Sequence, residues 1–280
     1  MAYNPNAKLR PSTIKKYEEG REMYVNGMTI EQIALKLHLE RRKFSHYLQD
    51  QGIEVVNPTT KRSLDEDFFS VIDTEEKAYW LGFLYADGCI CERRRGDKIK
   101  SMFLEIGLKR SDEEHLLKFA KSIRYENVKL TYRTINGSET VRIQIFCTKM
   151  CRDLIKHGCT PRKSLILKPP ILDDNLITHF IRGYVDGDGY IGIKHNKTYD
   201  VLRCSILGTK EVLEYIIAHF HLKNEDYKIR LANKNGSDKC FQVEFNLKAT
   251  NTILLLLYKN SNIHLTRKYN LVLPFMENVD

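Results

Sequence analysis

The sequence predicts an α+β protein with a small all-α domain at its N-terminus, and three observations lead to this fold class. Two apolar runs, 80–88 and 181–189, both end in Asp-Gly. After each run the hydrophobic period changes from helical to alternating, which is typical of strands. Before the first run, residues 1–54 have helical periodicity only. The chain therefore divides into a helical domain (1–54), a linker (55–64) and two similar units (65–168 and 169–280).

The N-terminal domain is predicted to be a helix-turn-helix. Helical segments cover 13–26 and 28–49 and are followed by Gly27 and Gly52. The apolar residues that would form its core are Ile33, Ala34, Leu37, Leu39, Phe44 and Tyr47. The second helix would enter a DNA major groove and present Glu40, Arg41, Arg42, Ser45, His46 and Gln49. His38 occupies the turn where Gly is usual, so an ordinary helical hairpin is the alternative.

The linker prediction rests on the loss of apolar periodicity over 55–64 and on Pro58 within it. Residues 65–76 then lead into the first apolar run. Thr74 is a plausible N-cap, because acids follow it in the first helical turn.

The two apolar runs are predicted to be helices that pack against each other. Gly82 and Ala86 in the first run are four residues apart, as are Gly183 and Gly187 in the second. Positions i and i+4 share one face of a helix, so each helix presents a smooth stripe that another backbone can approach closely. Both runs are too short to span a membrane.

The acids that end the two runs are unusual. Gly88 and Gly189 are placed as C′ caps, so Asp87 and Asp188 lie at helix C-termini, where the macrodipole disfavours an anion. If the helices pair side by side, two carboxylates about 6 Å apart repel by roughly 3 kcal/mol at an effective dielectric near 20. A bound cation relieves both penalties, and these acids therefore indicate a functional site.

Alternation predicts two hairpins and two helices after the first run. Residues 89–93 and 98–108 surround the turn at 94–97, and residues 128–134 and 140–146 surround Asn136-Gly137, a strong turn signal. The helices are 111–123, capped by Ser111, and 149–157.

The second unit repeats this order. Its strands are 190–194, 201–207, 228–231 and 240–246, the last two around Asn235-Gly236, and its helices are 210–220 and 249–258. Two local echoes support a duplication: Phe146-x-x-Lys149 matches Phe245-x-x-Lys248, and Thr160-Pro-Arg162-Lys163 matches Leu265-Thr-Arg267-Lys268.

The two apolar runs resemble the motif of the LAGLIDADG homing endonucleases, with both copies on one chain and the resemblance covering residue 65 to the C-terminus. It implies a pseudo-twofold duplicated αββαββα fold with the motif helices at the interface. It also implies that Asp87 and Asp188 hold Mg²⁺, or another divalent cation such as Mn²⁺, with the carbonyls of Ala86 and Gly187 as further ligands. Tyr85 stands where the family often has Asp and where the second copy has Asp186; this position is not the metal ligand.

Phosphodiester hydrolysis needs an activated water, neutralised phosphate charge and a stabilised leaving oxygen. Two acids that hold metal between two scissile phosphates can supply this, one acid per strand. A basic residue beside each metal would stabilise transition-state charge. Lys149 and Lys248 are the candidates because both begin the helix after the fourth strand of their unit. Lys109 and Lys210 are rivals.

Strand alternation predicts one buried and one polar face for each sheet. The buried set is Leu104, Ile106, Leu108, Val141, Ile143, Ile145, Ile229, Leu231, Phe241, Val243 and Phe245. The opposite face carries the predicted DNA contacts Arg93, Lys129, Arg133, Arg142, Gln144, Lys194, Arg203, Lys228, Arg230 and Gln242, together with Glu105, Thr131, Ser205 and Glu244. In the family, two such sheets form a saddle over a long DNA site, where Arg, Lys and Gln can read bases. Arg93, Arg94 and Arg95 at a hairpin tip would mostly contact phosphate. A solvated polar face is the alternative.

Composition agrees with a nucleic-acid partner. The 280 residues carry a formal charge of +9 and a pI near 9.1, which favours a polyanion over a membrane surface. Seven cysteines without a Cys-x-x-Cys pair indicate reduced thiols. The polar N-terminus predicts no signal peptide, so we expect an intracellular monomer, in a bacterium, a phage-infected cell or an organelle.

The sequence therefore predicts a site-specific double-strand DNA endonuclease. Two alternatives use the same scaffold, namely a DNA-binding regulator and an RNA-splicing maturase that binds its own intron RNA. The presence of both acids argues against an inactivated regulator but leaves a maturase open.

Overall fold

The computed structural model describes residues 11–53, 55, 64–195, 199–232 and 239–276. The chain forms two compact units, Met1–Arg62 and Ser63–Asp280. The predicted linker lies almost wholly outside the described residues, and so does the Asn235-Gly236 turn. Within the described ranges, no helix combines the length and apolarity that a membrane crossing requires.

The first unit contains three helices around a small apolar core. The helices are α1 (Pro11–Val25), α2 (Ile30–Leu37) and α3 (Arg41–Asp50). Thr29 and Gln32 form a capping box at the start of α2. His38 ends α2 in the left-handed conformation, with φ 50°, so a non-glycine residue makes this turn. The core consists of Tyr17, Ile30, Ile33, Phe44 and Leu48.

The second unit begins with a repeat built around a four-stranded antiparallel sheet. Its elements are α4 (Glu75–Asp87), β1 (Gly88–Arg95), β2 (Lys98–Lys109), α5 (Glu113–Ser122), β3 (Leu130–Ile135), β4 (Ser138–Ile145) and α6 (Thr148–Lys156). The strand order is β1-β2-β4-β3. Asn136 and Gly137 both have positive φ, 49° and 77°, and form the predicted tight turn between β3 and β4.

A second repeat follows in the same order. Its elements are α7 (Asp174–Asp188), β5 (Gly189–His195), β6 (Asp200–Gly208), α8 (Lys210–His219), β7 (Tyr227–Leu231), β8 (Phe241–Phe245) and α9 (Leu247–Tyr258). The strand order β5-β6-β8-β7 matches that of the first sheet. The predicted α+β duplication αββαββα is confirmed. One more helix, α10 (Thr266–Met276), lies beyond the predicted closing helix.

The repeats differ where the second strand meets the next helix. In the first repeat a 3₁₀ turn, Arg110–Asp112, precedes α5. Ser111 lies inside this turn and Asp112 takes the N-cap position, so the prediction that Ser111 caps the helix is wrong. In the second repeat only Thr209 separates β6 from α8, and its hydroxyl accepts a hydrogen bond from the Val212 amide at 3.4 Å. The first repeat therefore carries an inserted turn.

The predicted buried faces of the strands mostly form the core. Leu104, Ile106, Val141, Ile143 and Ile145 are buried in the first sheet, and Val243 and Phe245 in the second. Leu108, Ile229 and Phe241 are partly buried against this core. The prediction fails at Leu231, which is 52% exposed because it ends the edge strand β7.

The glycines after the two motif helices lack the left-handed conformation that is common at C′. Gly88 has φ −76° and Gly189 has φ −84°, both extended. Each helix therefore passes directly into a strand. A Cβ on Gly88 would lie 2.7 Å from the Leu84 carbonyl oxygen, and one on Gly189 would lie 2.4 Å from that of Val185. Glycine is required at positions 88 and 189 because a Cβ would collide with the preceding helical turn, and not because of a left-handed backbone conformation.

Candidate active site

The site is built at the end of two helices that cross in backbone contact. A Cβ on Gly82 would lie 1.9 Å from the Phe180 carbonyl oxygen, and a Cβ on Gly183 would lie 1.9 Å from that of Tyr79. The contact is reciprocal, as a twofold relation between α4 and α7 requires. The small residues of both stripes thus lie where the helices meet.

The same crossing brings the ends of α4 and α7 together. A Cβ on Gly187 would lie 2.2 Å from the Ala86 Cβ and 3.2 Å from Oδ2 of Asp87. Asp188 follows Gly187 directly, so both acids that the sequence singles out lie at one end of the helix pair. Burial raises the pKa of Asp87 to about 6, and the negative charge of Asp188 adds to the rise.

A cavity of about 390 Å³ opens beside Asp87. Gly187 and Leu265 line it from the second repeat, together with the buried Asp186. Charged side chains from both repeats complete its wall: Lys109, Asp112, Arg142 and Arg267.

Two lysines that the sequence did not assign hold the helix ends. Nζ of Lys268 donates hydrogen bonds to the carbonyls of Val185 at 2.7 Å and Asp186 at 2.8 Å, and also to that of Gly189. Nζ of Lys163 donates to the carbonyls of Ala86 at 3.3 Å and Gly88. Both lysines are buried. They add donors for carbonyls at the helix C-termini, where intrahelical amides run out; the Val185 carbonyl also accepts from the Gly189 amide. The charges of both lysines partly oppose the rise in the pKa of Asp87.

The lysines predicted from the sequence lie in other surroundings. Nζ of Lys149 is paired with Asp67 and, at 2.8 Å, with Asp153, while Lys248 is exposed. Of the rivals, Lys210 lies 3.6 Å from Glu214 and Lys109 lines the cavity beside Asp87. The signal for Lys163 and Lys268 was present in the echo that ends in these two residues.

Asp186 is buried, whereas Asp188 is only partly buried. The Asp186 carboxylate is fully buried and accepts hydrogen bonds from the hydroxyls of Tyr79 at 2.8 Å and Tyr258 at 2.6 Å, and from the Leu265 amide at 2.7 Å. Burial raises the pKa of Asp186. At the matching position of α4, the Tyr85 hydroxyl donates to the His157 carbonyl. Tyr85 thus binds the segment that leads to Lys163. Asp186 binds the segment that leads to Lys268.

The outward faces of the two sheets have the same arrangement of an acid beside an arginine and a glutamine. On the first sheet, Glu105 accepts from Arg142 at 3.0 Å and from Gln144 at 2.6 Å. On the second sheet, Glu244 is paired with Arg230, which also lies 3.4 Å from the Gln242 side-chain oxygen. Other predicted DNA contacts are exposed: Lys129, Arg133, Lys194, Arg203 and Lys228.

The three consecutive arginines are the last three residues of β1, beside the two-residue turn Gly96-Asp97 that joins β1 to β2. Arg93 is in β1, with its guanidinium 4.6 Å from the ring centre of Phe146 and 5.5 Å from that of Phe103. Arg94 is paired with Glu92 at 2.7 Å. Arg95 ends the strand. Aromatic stacking therefore fixes Arg93 on the outward sheet face.

In the first unit, the side chains predicted to contact DNA lie on α3. Arg41 is paired with Glu31 at 2.7 Å, and Arg42 is exposed. Ser45 and His46 are partly buried.

The oxygen atoms at the helix ends suit a hard divalent cation such as Mg²⁺, which binds one or two carboxylates and retains waters. Asp87 and Asp188 supply carboxylates, and the Gly187 carbonyl accepts no hydrogen bond from Lys163 or Lys268. The Ala86 carbonyl accepts one from Lys163 and keeps a second lone pair. Among the described residues, no cluster of three or more His, Cys, Asp or Glu could hold a metal. All seven cysteines are free thiols.

No family model matches the chain. Among curated proteins it is 25% identical over 201 residues to the probable translation initiation factor IF-2 of Methanocaldococcus jannaschii; the match covers 66% of this chain and 16% of that relative. The chain thus spans about a sixth of that relative's length.

The solved structures to which the chain is similar include LAGLIDADG endonucleases. I-AabMI bound to uncleaved DNA has a TM-score of 0.47 and 13% identity, and the match covers 71% of this chain and 89% of that one. I-DmoI in complex with DNA and Ca has a TM-score of 0.45 and 13% identity over 74% of this chain and 97% of that one. These likenesses concern shape alone. The order of helices and strands in this chain establishes the duplicated fold by itself.

Proposed function

We propose that this chain is a site-specific, double-strand DNA endonuclease of the LAGLIDADG type that acts as a monomer. The observation that carries this proposal is the convergence of Asp87 with the Gly187-Asp188 end of α7 at a cavity whose lining includes the basic residues Lys109, Arg142 and Arg267 beside Asp112 and Asp186. Two acids at one helix-pair end, one from each repeat, suit a reaction that must be carried out once on each DNA strand.

In this proposal Asp87 and Asp188 hold Mg²⁺, or another divalent cation such as Mn²⁺, with the Gly187 and Ala86 carbonyls as further ligands. A cation there supplies Lewis-acid polarisation of the phosphate and a more acidic water. The raised pKa of Asp87 supports this, because burial first and the charge of Asp188 second disfavour its ionised form, and a bound cation would favour that form.

The basic role that the sequence assigned to Lys149 and Lys248 passes in this proposal to Lys163 and Lys268. Their ammonium groups lie under the helix ends, and both act on the charge of Asp87. They position the last helical turn and supply positive potential beneath the phosphate. The ion pairs of Lys149 with Asp67 and Asp153 support a structural role for that residue instead.

The outward sheet faces are the proposed DNA-reading surface. Arg142, Gln144, Arg230 and Gln242 are held by neighbouring side chains, which limits the conformational freedom lost when they bind a base edge. Exposed lysines and arginines around them would contact phosphates. The first unit is proposed to be a helix-turn-helix in which α3 adds contacts through Arg41, Arg42, Ser45 and His46, either lengthening the site or regulating expression.

A selection followed by a cleavage assay tests the proposal. Duplexes bound from a randomised library in Ca²⁺ would be enriched, sequenced and cloned into a plasmid, which is then incubated with Mg²⁺ or Ca²⁺. An endonuclease linearises the plasmid in Mg²⁺ only. A DNA-binding regulator would bind in both and cut in neither, and a maturase would promote splicing of a cognate intron RNA.

The metal assignment has its own test. Asp188→Asn should abolish double-strand cutting and leave binding in Ca²⁺ within about threefold, because the loss concerns the reaction and not the DNA-reading surface. Asp97→Asn, at the exposed tip of the first hairpin, is the matched control and should cut normally. Undiminished cutting by Asp188→Asn would contradict the assignment.

A further inference from the structure

The inserted 3₁₀ turn of the first repeat makes the two halves of the site unequal. It places Asp112 against Arg267, the second residue of α10. Nε of Arg267 lies 3.3 Å from both carboxylate oxygens of Asp112, and Nη2 lies 3.1 Å from Oδ2. The Asp112 side chain is only 7% exposed, so the pair joins the two repeats from a buried anchor.

The guanidinium that this pair holds faces the cavity beside Asp87. Arg267, Asp112 and Asp87 all line that cavity, and the Arg267 side chain remains 50% exposed. Its Nη1 group makes no hydrogen bond within the part of the chain that the structure describes. A planar, weakly hydrated guanidinium with free donors is well suited to a phosphate oxygen.

The second half has a different contact at the matching place. Thr209 joins β6 to α8, and its hydroxyl donates to the Leu167 carbonyl at 2.7 Å. Arg162, which matches Arg267 in the sequence echo, is exposed and has no ion pair with any residue among those described. The second half therefore has a neutral hydrogen bond from Thr209 where the first half has the guanidinium of Arg267 paired with Asp112.

We propose that Arg267, positioned by Asp112, binds the backbone phosphate of one DNA strand in the first half-site, and that this inequality sets which strand is cut first. The proposal rests on the proposed endonuclease function. It requires Arg267 to touch the substrate and Asp112 to act only through Arg267.

Strand-resolved kinetics test the cutting order. A duplex of the enriched sequence, labelled differently on each strand, is cut with Mg²⁺ by the wild-type protein, Arg267→Ala, Asp112→Asn and the matched control Arg162→Ala. Arg267→Ala should slow one strand by about 100-fold and the other by less than threefold, so that nicked DNA accumulates. Asp112→Asn should slow the same strand to a smaller extent, and Arg162→Ala should leave the ratio of the two rates unchanged. Equal slowing of both strands by Arg267→Ala, or an effect on unfolding temperature alone, would overturn the proposal and leave the pair as a structural link.

A binding measurement keeps this result separate from that of the endonuclease proposal. In Ca²⁺, a neutral methylphosphonate is placed at each central backbone position in turn, and the affinities of wild type and Arg267→Ala are compared. The phosphate contact is supported if one position on one strand weakens wild-type binding but not that of the variant, even if no cutting occurs in Mg²⁺. If the penalty is the same for both proteins at every position, Arg267 does not bind phosphate there.

Discussion

The Leu265 amide donates a hydrogen bond to the Asp186 carboxylate across 2.7 Å, and three residues later Lys268 reaches the carbonyls that end the same helix. This contact connects the last turn of α7 to the segment that carries a buried lysine. Asp186, two positions before Asp188, therefore anchors this segment from within the core.

Asp186→Asn should destabilise the second unit by about 2–3 kcal/mol, because an amide cannot accept all three hydrogen bonds that the carboxylate accepts. Chemical denaturation of wild type and variant would measure the difference. Asp97→Asn, at an exposed turn, is the control and should change stability by less than about 0.5 kcal/mol. Equal stability of Asp186→Asn and wild type would show that the buried network does not hold this segment.

Asp87→Asn should change how stability depends on pH. The pKa of Asp87 in the folded protein is about 6, above its ordinary value, so between about pH 4 and pH 6 the folded state binds more protons than the unfolded state. Wild-type stability therefore falls, relative to the variant, as pH rises through this window. In EDTA the variant should be more stable above pH 6 by up to about 3 kcal/mol, with no difference below pH 4.

Wild type and Asp87→Asn also test whether Asp87 binds a divalent cation. Mg²⁺ should raise the unfolding temperature of wild type at pH 8 and leave that of Asp87→Asn nearly unchanged, because ligand binding stabilises only a state that has the site. Both proteins are measured over the same pH series, so contributions from groups that do not interact with Asp87 cancel in the difference. A pH-independent difference would contradict the raised pKa.

Lys268→Met should destabilise the second unit by about 3 kcal/mol, since it removes a buried donor shared by the carbonyls of Val185, Asp186 and Gly189, of which that of Val185 keeps its bond from the Gly189 amide. Lys163→Met should act in the same direction at the end of α4. Lys248→Met is the control, because Lys248 is exposed, and its effect should stay within about 0.5 kcal/mol. Urea denaturation of the three variants gives the comparison; a neutral Lys268→Met would remove the positioning role.

Gly183→Ala should destabilise the second unit by about 3 kcal/mol or more, because its Cβ would collide with the Tyr79 carbonyl oxygen, a backbone atom that cannot yield without separating the helices. Gly107→Ala is the matched control. A Cβ at Gly107 meets only Nε of Arg142, at 3.9 Å, so this variant should unfold like wild type. Similar thermal unfolding of both variants would show that α4 and α7 do not cross at Gly183.

Phe44→Ala should lower the stability of the first unit by about 3–5 kcal/mol, as expected for loss of a fully buried aromatic side chain. The second unit has its own core, so its unfolding transition should stay in place. Leu35→Ala, at a position that is 79% exposed, is the control. Differential scanning calorimetry would resolve the two transitions, and a joint shift would show that the units unfold as one.

Local sequence patterns determined much of this protein. The Asn136-Gly137 turn, the alternation that buries Ile143 and Ile145, and the small-residue stripe containing Gly82 are all short-range signals. They were sufficient for the order of the elements and for the duplication. They also marked Asp87 and Asp188, because an acid at a helix C-terminus is unfavourable within its own segment, whatever surrounds it.

Only the tertiary structure decided which distant side chains complete the site. Lys163 and Lys268 lie far along the chain from the helix ends they support, and their buried hydrogen bonds have no local signature, so helix position alone favoured Lys149 and Lys248. The pairing of Asp112 with Arg267 depends on an inserted turn meeting a segment from the other repeat. Hydrophobic period is a property of neighbours in sequence, whereas charge placement in a cavity is set by packing between elements. For that reason the sequence determined the fold and the two acids, and packing determined the cations around them.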